Sequence, residues 1–279
     1  MLTRGEADRF VAEVLALHRL ASEPEARLAQ LMGAYLARVP FQSLGALTTR
    51  AVPTLAQVER DAFSRAGGLC FTMNVFFQAL LRALGFDACF ALATIHDDLK
   101  HGTVLVRGLT TPDAVHSVEV GCGYIVPVPL ALPDSGEPTR QHHGALVVEL
   151  RREGGVVGRY HTAAGRRSRF WALDPRPVEL EAVAQAVRPA YEGYDRLRVV
   201  VAREPGLRLL TFKDDLLLEE TANGALRQRR FPDEAARPLR VEATVYARAF
   251  RQEVLEALKL GDLSSRVPTH QVLSVELSL

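Results

Sequence analysis

The stretch that decides the fold is Arg65-Ala66-Gly67-Gly68-Leu69-Cys70-Phe71-Thr72-Met73-Asn74. Two adjacent glycines allow a tight backbone turn against a neighbour or a ligand, and a strongly apolar helical pattern runs from Phe71 to Leu84 directly after them. Cys70 is therefore expected at the N-terminus of a helix, where the positive end of the helix dipole favours a thiolate over a thiol. The stretch predicts either a nucleophilic cysteine or a buried cysteine that fills the start of a core helix.

The composition is that of a folded protein with balanced charge. The chain has 279 residues, of which 48% are hydrophobic, and its 34 Lys and Arg against 33 Asp and Glu give a net charge of +1. This balance excludes general disorder and lacks the basic excess of a dedicated nucleic-acid-binding protein. No apolar run approaches the roughly 20 residues of a membrane span, and the first residues lack the apolar segment of a signal peptide. We therefore expect neither a nucleic acid nor a membrane as partner.

The cysteines indicate a reducing compartment. The chain has three of them, Cys70, Cys89 and Cys122, and they form no CxxC pair. An odd and sparse set does not make a disulfide framework, so we expect a cytoplasmic protein. The same set is poorly suited to zinc, so no metal site is expected.

The order of the predicted elements indicates an α+β fold. Helical patterns occupy residues 6–38, with an interruption at Pro24, then residues 54–62 and 71–84. The chain then changes to short strands bounded by turns, which are typical of an antiparallel barrel or sandwich. The later predicted elements are the strands 88–95, 103–107, 115–120, 145–151 and 169–173, the helix 179–187, the strands 196–203, 207–213, 215–221 and 225–230 with a hairpin turn at Asn223-Gly224, and the helix 245–260.

Two polar residues in the strand region are candidate partners of Cys70. A cysteine nucleophile requires a base, and the base requires a group that orients it. His101 stands at the entrance of an apolar strand, and Glu119 follows 18 residues later within another apolar strand. A buried carboxylate needs a partner, and a histidine on a neighbouring strand would supply one. The alternatives are a solvent-facing position for Glu119 and a surface loop for His101.

These motifs, taken in order, resemble those of the arylamine N-acetyltransferase family. The family carries R-G-G-x-C-x-E-x-N around its nucleophile, I-P-F-E-N-L upstream, a strand with H followed by L-L-V, then D-V-G-F-G and L-x-P-R-P. The matching segments here are Ala66–Asn74, Val39–Leu44 about 25 residues before Cys70, His101 with Val104–Val106, Glu119–Gly123 and Leu173–Pro177. Each motif is weak by itself, but the set keeps its order over nearly the whole chain.

The resemblance implies a three-part fold with a papain-like catalytic core. It implies a helical bundle over residues 1–85 that carries the nucleophile, a β-barrel over residues 86–195 that carries the histidine and the acid, and an α/β lid over residues 196–279. In this chain the triad would be Cys70, His101 and Glu119. The implied chemistry is ping-pong transfer of an acetyl group from acetyl-CoA, through a thioester on Cys70, to the nitrogen of an arylamine or hydrazine.

The resemblance also suggests residues for the ligand sites, and backbone N–H groups near Cys70 would bind the developing oxyanion. The expected ligands are a CoA thioester and a small-molecule amine, with an acyl carrier protein as another donor. The residues assigned to them are Gly68, Gly121 and Gly123 for the CoA thioester, and Phe41, Leu69, Phe71 and Cys122 for the substrate pocket.

The chain departs from the family motifs at several positions. Glu119 replaces the usual Asp, Cys122 replaces a pocket Phe, and the interval from His101 to Glu119 is about three residues longer, which a longer turn at Gly108 can absorb. A set of charged or amide side chains expected behind the cysteine is replaced by Ala66, Thr72, Gln42 and Ser43, with Arg65 adjacent. These departures leave three alternatives open: an amide synthase of the same fold that acts on a carrier-bound acyl chain, a cysteine hydrolase, and a non-catalytic binding protein.

Overall fold

Helices fill the first third of the chain. The computed structural model describes residues 2–95, 99–123, 126–134, 136–144, 146–163, 166–195, 198–203, 208–213, 216–220, 226–230 and 273–276. Its helices are α1 (Arg4–Arg9), which continues as a π-helical turn (Phe10–Val14), α2 (Pro24–Arg38), α3 (Leu44–Thr49), α4 (Leu55–Phe63), α5 (Cys70–Ala83) and α6 (Leu180–Glu192). Within these ranges, no helix is both long enough and apolar enough to cross a membrane.

Local sequence explains where these helices begin. The Thr3 and Glu6 side chains form a capping box at α1, and Pro24 occupies the first turn of α2. The Thr54 side chain accepts a hydrogen bond from the Gln57 N–H and so caps the start of α4. These caps satisfy N–H groups that a helix start otherwise leaves without partners.

The strands form two antiparallel sheets. Eight strands make a nearly closed barrel in the order β5-β4-β3-β2-β9-β8-β7-β6, and six make a second sheet in the order β1-β10-β11-β12-β13-β14. The barrel strands are β2 (Asp87–Ile95), β3 (Lys100–Arg107), β4 (Val115–Val118), β5 (Leu130–Ala131), β6 (Thr139–His143), β7 (Leu146–Glu153), β8 (Val156–Ala163) and β9 (Arg166–Val178). The second sheet contains β1 (Phe41–Gln42), β10 (Arg198–Arg203), β11 (Arg208–Lys213), β12 (Leu216–Glu220), β13 (Leu226–Arg230) and β14 (Leu273–Glu276).

Successive side chains along a strand point to opposite faces of the sheet, and this alternation divides the core into two clusters. On β3, Val104 and Val106 belong to the cluster that packs with the helices, whereas Leu105 between them belongs to the cluster inside the barrel with Trp171 and Leu173. The outer faces of β2 and β3 pack against α5 and α6. This packing presses the N-terminus of α5 against one end of the barrel, next to the first residues of β3.

The α+β fold predicted from the sequence is confirmed, with differences in detail. The fourth strand of the chain ends at Val118 rather than Val120, because Glu119 leaves the ladder and its side chain bonds other partners. The short helix α3 and the strands β6 and β8 were not predicted, since their polar and glycine-containing sequences lack a clear period. The predicted helix 245–260 and the turn at Asn223-Gly224 lie outside the described residues. The predicted division into three domains stays a prediction.

We expect Gly67→Ala to destabilise the protein more than Gly108→Ala. Both glycines have a φ of +69°, so each alanine has a similar backbone cost of about 1–2 kcal/mol. A Cβ on Gly67 would lie 1.8 Å from the Pro40 carbonyl oxygen, whereas a Cβ on Gly108 would meet nothing within 4 Å. In urea unfolding, the free energy of unfolding of the Gly67→Ala variant should therefore be at least about 2 kcal/mol lower than that of the Gly108→Ala variant. Equal losses would contradict the close contact with Pro40.

Candidate active site

Cys70 is the first residue of α5, at the position predicted from the double glycine. The preceding loop is held by hydrogen bonds from Gly68 N–H to the Pro40 carbonyl (3.3 Å) and from Gln42 N–H to the Gly68 carbonyl (3.0 Å). The buried Gln42 side chain donates to the Ala66 carbonyl at 3.2 Å. The Cys70 side chain is half-buried, so it can meet both the protein interior and a ligand.

His101 and Glu119 form a buried pair beside Cys70. The distance from His101 Nε2 to Glu119 Oε2 is 2.7 Å, and the two residues are 2% and 3% exposed. The second ring nitrogen, Nδ1, remains for the hydrogen bond between His101 and Cys70. The structure therefore brings together the three residues that the sequence analysis selected, and both surface alternatives for His101 and Glu119 are wrong.

Every partner of the Glu119 carboxylate is a hydrogen-bond donor. Oε1 accepts from Asn74 Nδ2 at 2.9 Å and from Gly121 N–H at 2.8 Å. Asn74 Nδ2 also donates to the Gly102 carbonyl at 2.7 Å, and Asn74 Oδ1 accepts from Val120 N–H at 3.2 Å. Asn74 thus connects α5 to β3 and to the segment that follows β4, and fixes the carboxylate relative to Cys70.

The charges of the pair stabilise each other against burial. Burial is the largest influence on the pKa of Glu119 and raises it, but His101, the Arg159 charge and the Asn74 hydrogen bond lower it to about 2. Burial lowers the pKa of His101, but Glu119 and Cys70 together raise it well above its usual value. At neutral pH the favoured state of the pair is therefore an imidazolium on His101 beside the Glu119 carboxylate.

The pair should make the unfolding free energy depend on pH in a defined way. The Glu119 pKa is about 2 in the folded protein and about 4.3 in an unfolded chain, so its contribution is full above about 4.3 and is lost as the pH falls towards 2. The His101 contribution is full below about pH 6.5 and is lost as the pH rises through its raised pKa. The difference in unfolding free energy between wild type and Glu119→Gln should therefore peak near about pH 5–6. A difference that does not vary with pH would contradict this coupling.

A cavity of about 530 Å³ opens onto Cys70 and His101. Among the residues assigned to ligand sites, Phe41, Leu69, Gly121 and Cys122 lie on its wall. The wall also carries Lys100, Arg167, Arg169 and Arg198, and none of its described lining residues is acidic. No group of three or more potential metal ligands occurs within the described part of the chain.

Three of the assigned ligand residues do not line this cavity. Gly68 packs against Thr72, where a Cβ would lie 2.6 Å from the threonine side chain. Gly123 has a φ of +69° and faces the Arg198 guanidinium. Phe71 is 3% exposed and belongs to the helical core, because it lies on the face of α5 that packs against other helices. These contacts give all three residues a packing role.

The replaced motif residues lie behind the cysteine loop and are buried. Ala66, Thr72, Gln42 and Ser43 are each less than 5% exposed, and Ser43 Oγ accepts from Arg198 N–H at 2.8 Å. Arg65 does not enter this region, because its guanidinium donates to the Glu13 carbonyl on the outside. Neutral side chains and main-chain hydrogen bonds hold the loop instead of buried charges.

The sequence analysis missed several residues of the site. Asn74 was within the quoted motif but received no role, although its position four residues after Cys70 places both on one face of α5. Tyr191 and Tyr194 reach the cavity from the end of α6, and Arg198 reaches it from β10. No local pattern marks these last three, because only the packing of α6 and the second sheet brings them to Cys70.

Comparisons with known proteins identify the family and the fold. A family model described as N-acetyltransferase matches residues 26–190. The arylamine N-acetyltransferase of Mycobacterium abscessus is similar in structure with a TM-score of 0.72 at 16% identity, covering 90% of this chain and 95% of that one. The Salmonella typhimurium enzyme has a TM-score of 0.67 at 18% identity (88% and 92% covered), and the Mycobacterium marinum enzyme in complex with CoA has 0.71 at 15% identity (86% and 93% covered). No curated protein sequence matched.

Proposed function

Because the chain belongs to the arylamine N-acetyltransferase family, we propose that it transfers an acetyl group from acetyl-CoA to the nitrogen of an arylamine or hydrazine. The observation that carries this proposal is the buried His101–Glu119 pair at 2.7 Å, hydrogen-bonded to a half-buried cysteine on a cavity wall. Nucleophile, base and orienting group thus stand in the order that acyl transfer through a thioester requires.

The first half-reaction forms a thioester on Cys70. The Cys70 thiolate attacks the carbonyl carbon of acetyl-CoA, and the developing oxyanion accepts hydrogen bonds from N–H groups in the first turn of α5, which have no partner within the helix. The bond to the CoA sulfur breaks, and the CoA thiolate takes the proton of the His101 imidazolium. The products are acetyl-Cys70, CoA with a free thiol, and a neutral His101 that still donates to Glu119.

The second half-reaction transfers the acetyl group to the amine. The amine nitrogen attacks the thioester carbonyl, and His101 takes a proton from that nitrogen. The intermediate collapses, the amide leaves, and the Cys70 thiolate returns beside the His101 imidazolium. Glu119 holds the imidazole so that Nδ1 faces the sulfur and the incoming amine in both halves.

The cavity is compatible with the two proposed substrates. Its basic side chains and the absence of acidic ones among the described lining residues suit the phosphates of CoA, and a similar structure is a complex with CoA. Apolar contact for an aromatic or acyl group would come from Phe41, Leu69 and Phe170. The small Cys122 side chain on the wall leaves more room than the Phe of the family motif, so we expect the acceptor to differ from a simple arylamine.

Intact-protein mass spectrometry tests the proposal. After incubation with acetyl-CoA, we expect a gain of one acetyl group, and after addition of an arylamine or hydrazine we expect its loss together with formation of the amide. Initial rates over both substrates should give the parallel reciprocal plots of a ping-pong mechanism. The measurement is repeated with a carrier-protein thioester as the donor, and with water as the only acceptor. Acylation by the carrier thioester alone would favour an amide synthase, and no acylation by either donor would refute the proposal.

A further inference from the structure

Arg159 is a buried cation that the proposed mechanism does not use. It lies on β8, is 1% exposed, and its Nε donates to His161 Nε2 at 3.0 Å. Its guanidinium carbon lies 5.7 Å from the Trp171 ring centroid and 5.9 Å from that of Phe170. Its Nη2 has no hydrogen-bond partner among the described residues. Burying such a cation is costly unless a counter-charge faces it, so its presence requires an explanation.

The inward face of the barrel is polar at the end where Arg159 lies. Thr103 Oγ1, Ser117 Oγ and Trp171 Nε1 are also buried without a hydrogen-bond partner in the described part of the chain. On β3, the period of two places Thr103 on the same face as His101. On β4, it places Ser117 inward with Leu105, its Cα partner on β3. Near the catalytic pair, the apolar cluster inside the barrel is therefore interrupted by polar side chains.

Strand register places Arg159 at the end of the barrel where the catalytic pair lies. Arg159 pairs with Trp171 on β9, Trp171 pairs with Ile95 on β2, and Ala93, two residues before Ile95, pairs with His101 on β3. His161, which accepts from Arg159, lines the same cavity as Cys70 and His101.

Among the described residues, the titratable groups around Glu119 are therefore His101 from β3 and Arg159 and His161 from β8, with Cys70 from α5 beside His101, and the Arg159 charge lowers the pKa of Glu119. Burial lowers the pKa of His161 to about 3, and Arg159 lowers it further in the same direction, so His161 is neutral. In the resting enzyme the charge balance around Glu119 therefore includes two cations, the His101 imidazolium and Arg159.

The balance changes during the proposed reaction. When Cys70 is acylated and His101 has given its proton to CoA, both are neutral, and Glu119 loses the counter-ion that it has in the resting enzyme. Arg159 is then the cation that faces the buried carboxylate from the described part of the chain. A nearby positive charge favours an ionised carboxylate and a neutral imidazole, and both are needed when His101 acts as base.

We propose that Arg159 is a positioning residue that keeps Glu119 ionised while His101 is neutral, and so allows His101 to accept the amine proton in the second half-reaction. The inference rests on the proposed function, because it assumes an acyl-enzyme on Cys70. It assigns Arg159 no contact with substrate. Its effect is expected on the pH dependence of deacylation.

The test compares the deacylation of three variants over about pH 5–9. Acyl-enzyme is prepared with acetyl-CoA, or with 4-nitrophenyl acetate as a simple donor, and its decay with an arylamine is followed by intact mass. Removing the charge in Arg159→Gln raises the affinity of both Glu119 and His101 for protons. The acid limb of the pH–rate profile of deacylation should therefore shift to higher pH by about one unit or more. Arg159→Lys keeps the charge and should restore the limb. Arg151→Gln removes an arginine that is 46% exposed on β7, and should leave the limb in place.

The outcomes separate the two proposals. If wild type forms no acyl-enzyme with either donor, the proposed function is refuted. If acyl-enzyme forms but the limb of Arg159→Gln coincides with that of wild type, or all rates fall equally at every pH, the role of Arg159 is refuted. If Arg159→Gln does not fold, infrared difference spectra of the wild-type acyl-enzyme show whether Glu119 is ionised. A protonated carboxyl band at neutral pH that disappears in Glu119→Gln would overturn the inference, and its absence would support it.

Discussion

Cys70→Ser is expected to abolish the acetyl mass gain and to lower the rate of acetyl transfer by about 10³-fold or more. A serine hydroxyl has nearly the same position and size, at the start of α5 beside His101. It is a far weaker nucleophile than the thiolate that the proposed mechanism uses, and it does not ionise near neutral pH. Intact mass after incubation with acetyl-CoA and the rate of amide formation measure the two effects.

Cys89→Ser is the matched control for this prediction. Cys89 is half-buried on β2 and packs against the barrel cluster. Its replacement should leave the mass gain intact and cost at most some stability. Retention of the full acetyl mass gain in Cys70→Ser, or its loss in Cys89→Ser, would mean that the acyl group is carried by another residue.

Glu119→Gln is expected to lower the rate of Cys70 acylation by about 10²- to 10⁴-fold. The carboxylate accepts from His101 Nε2, Asn74 Nδ2 and Gly121 N–H, so an amide must turn its NH₂ group towards one of these donors. If the NH₂ group faces Asn74 or Gly121, a buried donor is left without an acceptor. If it faces His101, the imidazole must take the tautomer with a proton on Nδ1, which cannot accept a proton from Cys70 or from the amine.

Two further variants define the role of this carboxylate. Glu119→Asp keeps the charge but shortens the side chain, so it cannot reach His101 while keeping both hydrogen bonds to Oε1, and it should fall between wild type and Glu119→Gln. Asp174→Asn removes a carboxylate that pairs with Arg176 on β9, away from the cavity wall, and should acylate normally. Single-turnover acylation measured by mass gives the three rates. Acylation by Glu119→Gln at the wild-type rate would show that Glu119 does not orient His101.

The sequence was most informative where function depends on local structure. The double glycine and the apolar pattern after it predicted a cysteine at the first turn of a helix, and Cys70 is the first residue of α5. The cost of burying a carboxylate predicted a partner for Glu119, and the resemblance to family motifs named His101 for it. The resemblance suggested Phe71 and Gly68 for ligand sites, but Phe71 packs in the helical core, Gly68 packs against Thr72, and neither lines the cavity.

The sequence by itself predicted most of the order of helices and strands, because these follow from periodicity and capping. It proposed the nucleophile, base and acid from the chemistry of single residues and from the resemblance to family motifs. Only the tertiary structure decided which distant groups meet at Cys70. Asn74 acts by joining α5 to β3 and to the segment after β4. Tyr191 and Arg198 arrive through the packing of α6 and β10, and Arg159 enters the barrel interior from β8 beside Trp171. The physical reason is that charges interact across the barrel interior, between strands that lie far apart in sequence. No local sequence pattern encodes the distance between such strands.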